Sequence, residues 1–154
     1  MTVLRDDVDQ LMAVMDAAFD PQFGEAWTRR QVDDALLSGL CHYRIFDRQS
    51  GVVDHEPGPT GFYLSRHIAG EEELLLFAVV PSARRLGIGC AILRMFCQDS
   101  KNRGANRLLL EMRDGNPARA LYERLGFNPI GRRLNYYRNG LGSSRDAITF
   151  ACEI

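Results

Sequence analysis

Apolar residues at the start of the chain recur at helical spacing. Val8, Leu11, Met12, Met15 and Phe19 share one face, which predicts an amphipathic helix over about residues 6–19. Pro21 and Gly24 break it. A second helix is predicted to begin at Thr28, where Thr28 and Gln31 have capping-box spacing and Trp27 and Val32 occupy the staple positions around that cap. Gly39 should stop it. The pattern then turns extended, and Cys41–Phe46, Gly61–His67 and Glu73–Val80 read as strands. The Gly-, Pro- and Asp-rich stretch Asp47–Pro59 reads as a hairpin connection, and a turn at Ala69–Gly70 separates the next two strands. Glu71 and Glu72 read as part of that turn. Pro81 ends the third strand, because proline cannot continue a ladder inside a sheet.

Beyond Pro81 the period changes again. Leu86–Arg103 carries Ile88, Ile92, Leu93, Phe96 and Cys97 at helical spacing, and Arg107–Arg113 alternates as a strand. Asn116 followed by Pro117 predicts an N-cap with proline at the first helical position, for a helix ending at Gly126. Phe127–Tyr136 and Asp146–Cys152 close the chain as two strands joined by a Gly/Asn/Ser-rich loop. The order is helices, an antiparallel meander, a strand–helix–strand–helix unit and a final hairpin. This predicts one α/β (α+β) domain over residues 1–154, with a mixed, largely antiparallel central sheet and flanking helices.

Composition narrows the function classes. With 19 Lys+Arg against 20 Asp+Glu, the net charge of -1 gives no general electrostatic reason to bind nucleic acid or a membrane. Lys101 is the only lysine, so the cations are almost all arginine, whose planar fork suits phosphate. Cys41, Cys90, Cys97 and Cys152 form no CxxC pair, and His42, His55 and His67 do not stand at zinc-ligand spacing from them, so no metal site is expected. Without a recognisable signal peptide they read as free thiols of a cytoplasmic protein.

The stretch Val79-Val80-Pro81-Ser82-Ala83-Arg84-Arg85-Leu86-Gly87-Ile88-Gly89 carries the strongest chemical signal. It reads as a strand, a basic turn and a glycine-bearing helix start. The first N–H groups of a helix lack intrahelical partners, Gly87 and Gly89 allow close approach to the backbone, and Arg84 and Arg85 add charge-assisted donors. These are the parts of a pyrophosphate site. A dinucleotide fingerprint fits less well, since Ile92 stands where the third small residue belongs, and no Gly-Lys-Ser/Thr follows to make a Walker loop.

Arg84-x-x-Gly87-x-Gly89 resembles the acyl-CoA pyrophosphate loop of the GCN5-related N-acetyltransferase superfamily, and Leu121-Tyr122-Glu123-Arg124-Leu125-Gly126-Phe127 resembles that family's Leu-Tyr-x-x-x-Gly-Phe segment. Leu109–Arg113, Arg132–Tyr137 and Asp146-Ala147 are similar to the bacterial ribosomal-protein-alanine N-acetyltransferases. The resemblance runs from about Leu74 to the end; Phe19 and Ala26-Trp27-Thr28 are the landmarks before it. It implies transfer of an acetyl group from acetyl-CoA to a protein's N-terminal α-amine, directly in a ternary complex. By the same resemblance, Glu111 is the base and Tyr122 the acid that protonates the departing sulfur. Phe77, Ala78 and Val79 would hold the thioester and pantetheine arm through their backbone, with Arg84, Arg85, Leu86, Gly87, Ile88, Gly89, Cys90 and Asn116 around the rest of the cofactor. Tyr136 and Tyr137 would flank the acceptor's first residue. The chain departs from the family in two places: one residue is missing near Asp114–Asn116, and Leu86 replaces a residue that is often basic.

Each residue also has a plainer reading. Glu111 could form a salt bridge with Arg113 or a neighbouring strand, Tyr122 could be a packed core aromatic, Asn116 a helix cap, and Tyr136 and Tyr137 a cross-strand pair. Glu73 is the rival base on the preceding strand. Cys90 and Cys97 would permit an acyl-cysteine route, but both lie on a helix's apolar stripe, where cysteine behaves as a small hydrophobe. The competing functions are a small-amine or lysine acetyltransferase and a non-catalytic acyl-CoA-binding module.

Overall fold

The computed structural model describes residues 5–21, 24–47, 58–138 and 144–154. Two helices, α1 (Arg5–Ala18) and α2 (Arg29–Leu37), precede a meander of β1 (Cys41–Asp47), β2 (Pro59–Ile68) and β3 (Glu71–Val79). A short 3-10 turn at Pro81–Ala83 leads into α3 (Ile88–Asn102), β4 (Arg107–Arg113) and α4 (Arg119–Arg124), and the hairpin β5 (Asn128–Arg138) and β6 (Ser144–Glu153) closes the chain. The strands form one sheet in the order β1-β2-β3-β4-β6-β5, antiparallel except where β3 meets β4. The expected α/β architecture with a largely antiparallel sheet is what the chain adopts.

Local chemistry explains the boundaries. Thr28 Oγ1 accepts from the Gln31 N–H at 3.2 Å, and Gln31 Oε1 accepts from the Thr28 N–H at 2.8 Å. This capping box is worth about 1 kcal/mol to α2. Ala69 and Gly70 take positive φ, 50° and 81°, to close the tight β2–β3 turn. The predicted connection Asp47–Pro59 lies mostly outside the described residues.

Two readings are corrected. Helix α4 starts at Arg119, not at Asn116-Pro117: Asn116 Oδ1 accepts from the Ala118 N–H at 2.9 Å and its carbonyl from the Arg119 N–H at 3.2 Å. Asn116 therefore shapes a turn before the helix, because its side chain reaches the N–H two residues on. Glu71 and Glu72 belong to β3 rather than to the turn, and the Glu72 side chain is fully buried. Its carboxylate is taken up by Ser65 Oγ (3.1 Å), Ser100 Oγ, the Arg103 guanidinium and the His67 ring. A buried charge persists only with such a complete set of partners.

Each face of the sheet carries a core. Val8, Leu11, Val14 and Met15 of α1 and Val32 of α2 pack on Phe62, Leu64, Leu76 and Ala78. Ile92, Leu93 and Phe96 of α3 and Tyr122 of α4 pack on Tyr63, Leu74, Leu108, Leu110, Met112, Ile148 and Phe150 on the other face. Leu74 and Leu76 lie in different layers although two residues apart, because β3 carries a bulge there: Leu64 pairs with Leu76 but Ser65 with Leu74, leaving Leu75 unmatched.

Candidate active site

The β3 bulge opens the sheet. Parallel pairing of β3 with β4 runs only from Glu71↔Arg107 to Leu74↔Leu110. Past that point the strands part, and the β3 edge facing β4 has no ladder partner. Two cavities meet in the opening, of about 530 and 770 Å³, and Phe19, Glu25, Phe77 and Asn116 line both.

The larger cavity lies toward α3. Ala78, Val79, Arg84, Arg85, Gly87, Gly89 and Cys90 line it together with Arg113, Leu121 and Arg124. Gly87 caps α3 at φ +77° with open space where a Cβ would stand, whereas a Cβ on Gly89 would come within 3.3 Å of the Phe77 ring. The first serves the left-handed turn, the second close packing of α3 on β3. The Arg84 guanidinium donates to Val79 O (3.2 Å) and Ala18 O (2.9 Å), pinning the loop to the ends of β3 and α1. Leu86 is exposed and Ile88 packs on the core, so neither lines this cavity. A basic wall, the free N–H groups at the start of a 15-residue helix and an apolar throat fit a phosphate-bearing ligand with a thin tail.

The smaller cavity lies on the opposite side of the opening, between the α1–α2 segment and the β5–β6 hairpin. Trp27, Gln31, Glu73, Glu111, Tyr122, Tyr136 and Tyr137 line it with Glu25. Glu111 lies one residue past the last β3–β4 pair, so its side chain meets the open part. Arg133 Nε (3.0 Å) and Thr149 Oγ1 (3.4 Å) both address its Oε1. Glu111 thus forms a salt bridge with Arg133 of β5, two strands away across β6, rather than with Arg113 or an adjacent strand as expected, and this coexists with a position in the cavity wall. Arg113 instead binds Glu25 at 3.1 Å, the two side chains being 9% and 16% exposed. Glu73 also lines this cavity, but it sits within the paired stretch opposite Leu109 and is held by Arg66 at 2.7 Å.

Tyr122 stands against Phe77, Phe127 and Phe150, with ring centroids 6.4, 6.1 and 6.4 Å away. It is both a core aromatic and part of the cavity wall. Burial, reinforced by Glu25 and Tyr137, holds its hydroxyl well above the ordinary tyrosine value. Burial likewise raises Tyr137, with Glu25 and Glu111 adding to the effect. Both phenols therefore stay protonated through the neutral range.

The Acetyltransferase (GNAT) domain family matches residues 41–129. The chain belongs to the GNAT acetyltransferase family. It is 35% identical over 92 residues to a ribosomal protein bS18-alanine N-acetyltransferase of Haemophilus influenzae, and 39% identical over 94 residues to that of Escherichia coli strain K12. Each match covers 60% of this chain and spans 63% of the relative's length. The crystal structure of the Escherichia coli ribosomal-protein-S18-alanine N-acetyltransferase superposes with a TM-score of 0.78 at 27% identity, covering 100% of this chain and 92% of that one.

Within this GNAT frame the two motifs read from the sequence, thirty-odd residues apart, face one opening. Sequence reasoning missed Glu25, Arg113 and Arg124. Arg124 stood inside a quoted motif, while nothing local distinguishes Glu25: its partner is 88 residues away. Burial pushes the Cys97 thiol up to about 11, with Cys152 adding to it, so Cys97 is a poor nucleophile at neutral pH. Among the described residues no group of His, Cys, Asp and Glu could hold a metal ion, and no helix is long and apolar enough to cross a membrane.

Proposed function

We propose that the chain transfers an acetyl group from acetyl-CoA to the N-terminal α-amine of a protein, with the N-terminal alanine of ribosomal protein bS18 as the first acceptor to test. The observation that carries this reading is the opening beyond Leu74 and Leu110, where a basic cavity and an aromatic, acid-lined one meet beside Glu111 and Tyr122. The names of the matched relatives support the acceptor.

In this reading acetyl-CoA lies in the larger cavity, with its pyrophosphate at the start of α3 and its thioester between β3 and β4. Arg85 and Arg124, together with the α3 N–H groups, hold the phosphates. Phe77, Ala78 and Val79 offer their unladdered backbone edge to the pantetheine arm and the thioester carbonyl. The acceptor enters from the smaller cavity, its first residue between Trp27 and the tyrosine pair. A protein α-amine titrates at about 7.7–8.0 and must lose a proton before it attacks. Glu111 takes that proton on Oε2, since Arg133 and Thr149 engage Oε1. The amine nitrogen forms a bond to the acetyl carbon as the carbon–sulfur bond breaks. Tyr122 then gives its proton to the sulfur. Its raised pKa keeps that proton in place until reaction but makes the phenol a weaker acid, so the transfer relies on a hydrogen bond to the sulfur as charge develops there. The second proton that the nitrogen sheds passes through solvent to restore Tyr122 once that residue has protonated the sulfur.

The test is CoA release by the purified protein with acetyl-CoA and a peptide beginning with free alanine. An N-terminally blocked peptide with an internal lysine runs beside it. Turnover on the first peptide alone is expected. Turnover on the lysine peptide alone, or on neither while acetyl-CoA binds, overturns the α-amine reading.

A further inference from the structure

Successive residues of a regular strand point to opposite faces. Tyr136 and Tyr137 nevertheless line the same cavity, their rings edge to face with centroids 5.1 Å apart. The cause is a bulge in β5. Arg133 pairs with Ala147 and Tyr137 with Arg145, so three residues of β5 (Leu134, Asn135, Tyr136) stand opposite one residue of β6, Asp146. Asn135, the middle of the three, takes φ +54° in the left-handed region. Asparagine is among the few non-glycine residues that adopt this conformation readily, and here a hydrogen bond to its N–H holds it.

Asp146 does the fixing, from both sides of the bulge. Its Oδ1 accepts from the Asn135 N–H at 2.9 Å and its Oδ2 from Arg132 Nη1 at 2.7 Å. The same Arg132 nitrogen donates to Asp114 Oδ2 at 2.9 Å, and the Asp146 carbonyl accepts from the Asp114 N–H at 2.8 Å, so the turn after β4 is tied to the same point. Ser144 Oγ donates to Asn135 Oδ1 at 2.8 Å. The Asn135 N–H and the Arg132 guanidinium together hold the Asp146 carboxyl below its ordinary value. Next to the clamp, Arg133 lies over the Tyr136 ring at 5.5 Å while it binds Glu111.

We propose that Asp146, which lines neither cavity, is the positioning residue of acceptor recognition. By clamping the bulge it turns Tyr136 and Tyr137 together into the acceptor cavity and sets Arg133 between Tyr136 and Glu111. This rests on the reading that the smaller cavity receives a peptide N-terminus.

The experiment compares the full chain with Asp146→Ala and Asp146→Asn. One readout is independent of any acceptor: amide exchange at Asn135 and the nuclear Overhauser contact between the Tyr136 and Tyr137 rings. The other is the separate KM for acetyl-CoA and for the alanine-first peptide. Asp146→Ala should lose both the Asn135 protection and the ring contact. It should raise the peptide KM roughly tenfold, with kcat and the acetyl-CoA KM within about threefold. Asp146→Asn, which keeps an oxygen for the Asn135 N–H, should fall between. An unchanged ring contact in Asp146→Ala overturns the proposal, as does a lost contact with an unchanged peptide KM, or a rise in both KM values together. Loss of the ring contact in a protein whose wild type acetylates no peptide supports the clamp and counts against the acceptor reading instead.

Discussion

Tyr122→Phe removes one oxygen atom from a wall that Phe77, Phe127 and Phe150 otherwise complete. The ring and its edge-to-face packing remain, so the fold should lose less than about 1.5 kcal/mol. The cost to catalysis is of another order if Tyr122 protonates the departing sulfur. Losing a positioned general acid costs about 10²–10⁴-fold, or roughly 2.7–5.4 kcal/mol in the barrier. The wild-type pH profile carries a second expectation. Burial, with Glu25 and Tyr137, raises the Tyr122 pKa, so the acid remains loaded as pH rises through neutrality and beyond. The rate should climb as the acceptor amine deprotonates near its pKa of about 7.7–8.0, then level off with no alkaline fall up to about pH 9.5. The assay is CoA release with both substrates saturating, beside calorimetric binding of acetyl-CoA, which the variant should preserve. A Tyr122→Phe rate within about threefold of wild type refutes the acid role. An alkaline fall in the wild type that the variant lacks would instead identify Tyr122 as the titrating acid and deny that burial raises its pKa so far.

Two further outcomes test the frame that holds this site. A Cβ on Gly61 would stand 2.6 Å from Ile92 Cδ1 and 2.7 Å from the Ala78 carbonyl oxygen, so Gly61→Ala should destabilise the fold by about 1–3 kcal/mol, and an unchanged thermal midpoint would deny that α3 sits so close to β2. Glu72, although burial alone would raise its pKa, is held below the ordinary carboxylate value by Arg103, Ser100 and Ser65. Its stabilising effect is therefore complete above the unfolded value of about 4.3 and is lost as pH falls through the folded value. Glu72→Gln should cost roughly 3 kcal/mol in urea unfolding at neutral pH, a deficit that narrows in acid; a deficit constant with pH would exclude the charge as its source.

Much of this architecture was legible because its signals are local. The Thr28/Gln31 cap, the Ala69–Gly70 turn and the alternation of Arg107–Arg113 each involve residues a few positions apart, and each stands where the sequence placed it. The misreadings came from interactions that span the chain. Three consecutive glutamates beside a turn look like solvent-facing residues, yet the Glu72 carboxylate is taken up by Arg103 and Ser100, about thirty residues away, and is carried inside. Asn116-Pro117 has the composition of a helix start, but the turn from β4 draws the Asn116 side chain to Ala118 and delays the helix to Arg119. Arg84 was read as a phosphate ligand from its neighbours; that its guanidinium also reaches the end of α1 depends on how the helix crosses the sheet.

The candidate site depends on two departures from regular β-structure, which separate the proposed chemistry from the proposed recognition. The Leu75 bulge ends the β3–β4 ladder and creates the opening; the bulge at Leu134–Tyr136 turns two adjacent tyrosines to one side. Between them β4 and β6 pair without a break from Arg107↔Glu153 to Arg113↔Ala147. Glu111 is carried on that uninterrupted register, with its partner Thr149 directly across from it. The proposed base is thus carried on an unbroken register, whereas the groups proposed to face the acceptor sit on a bulge and on the segment between α1 and α2. Hydrophobic alternation predicts regular strands and is blind to both bulges: the one extra residue at Leu75 reverses which face the pattern assigns, and the three-for-one stretch Leu134–Tyr136 takes Tyr136 out of its alternate place. On the proposed reading, changes at the bulge or in the α1–α2 segment should alter the acceptor preferred, while the register that holds Glu111 stays as it is.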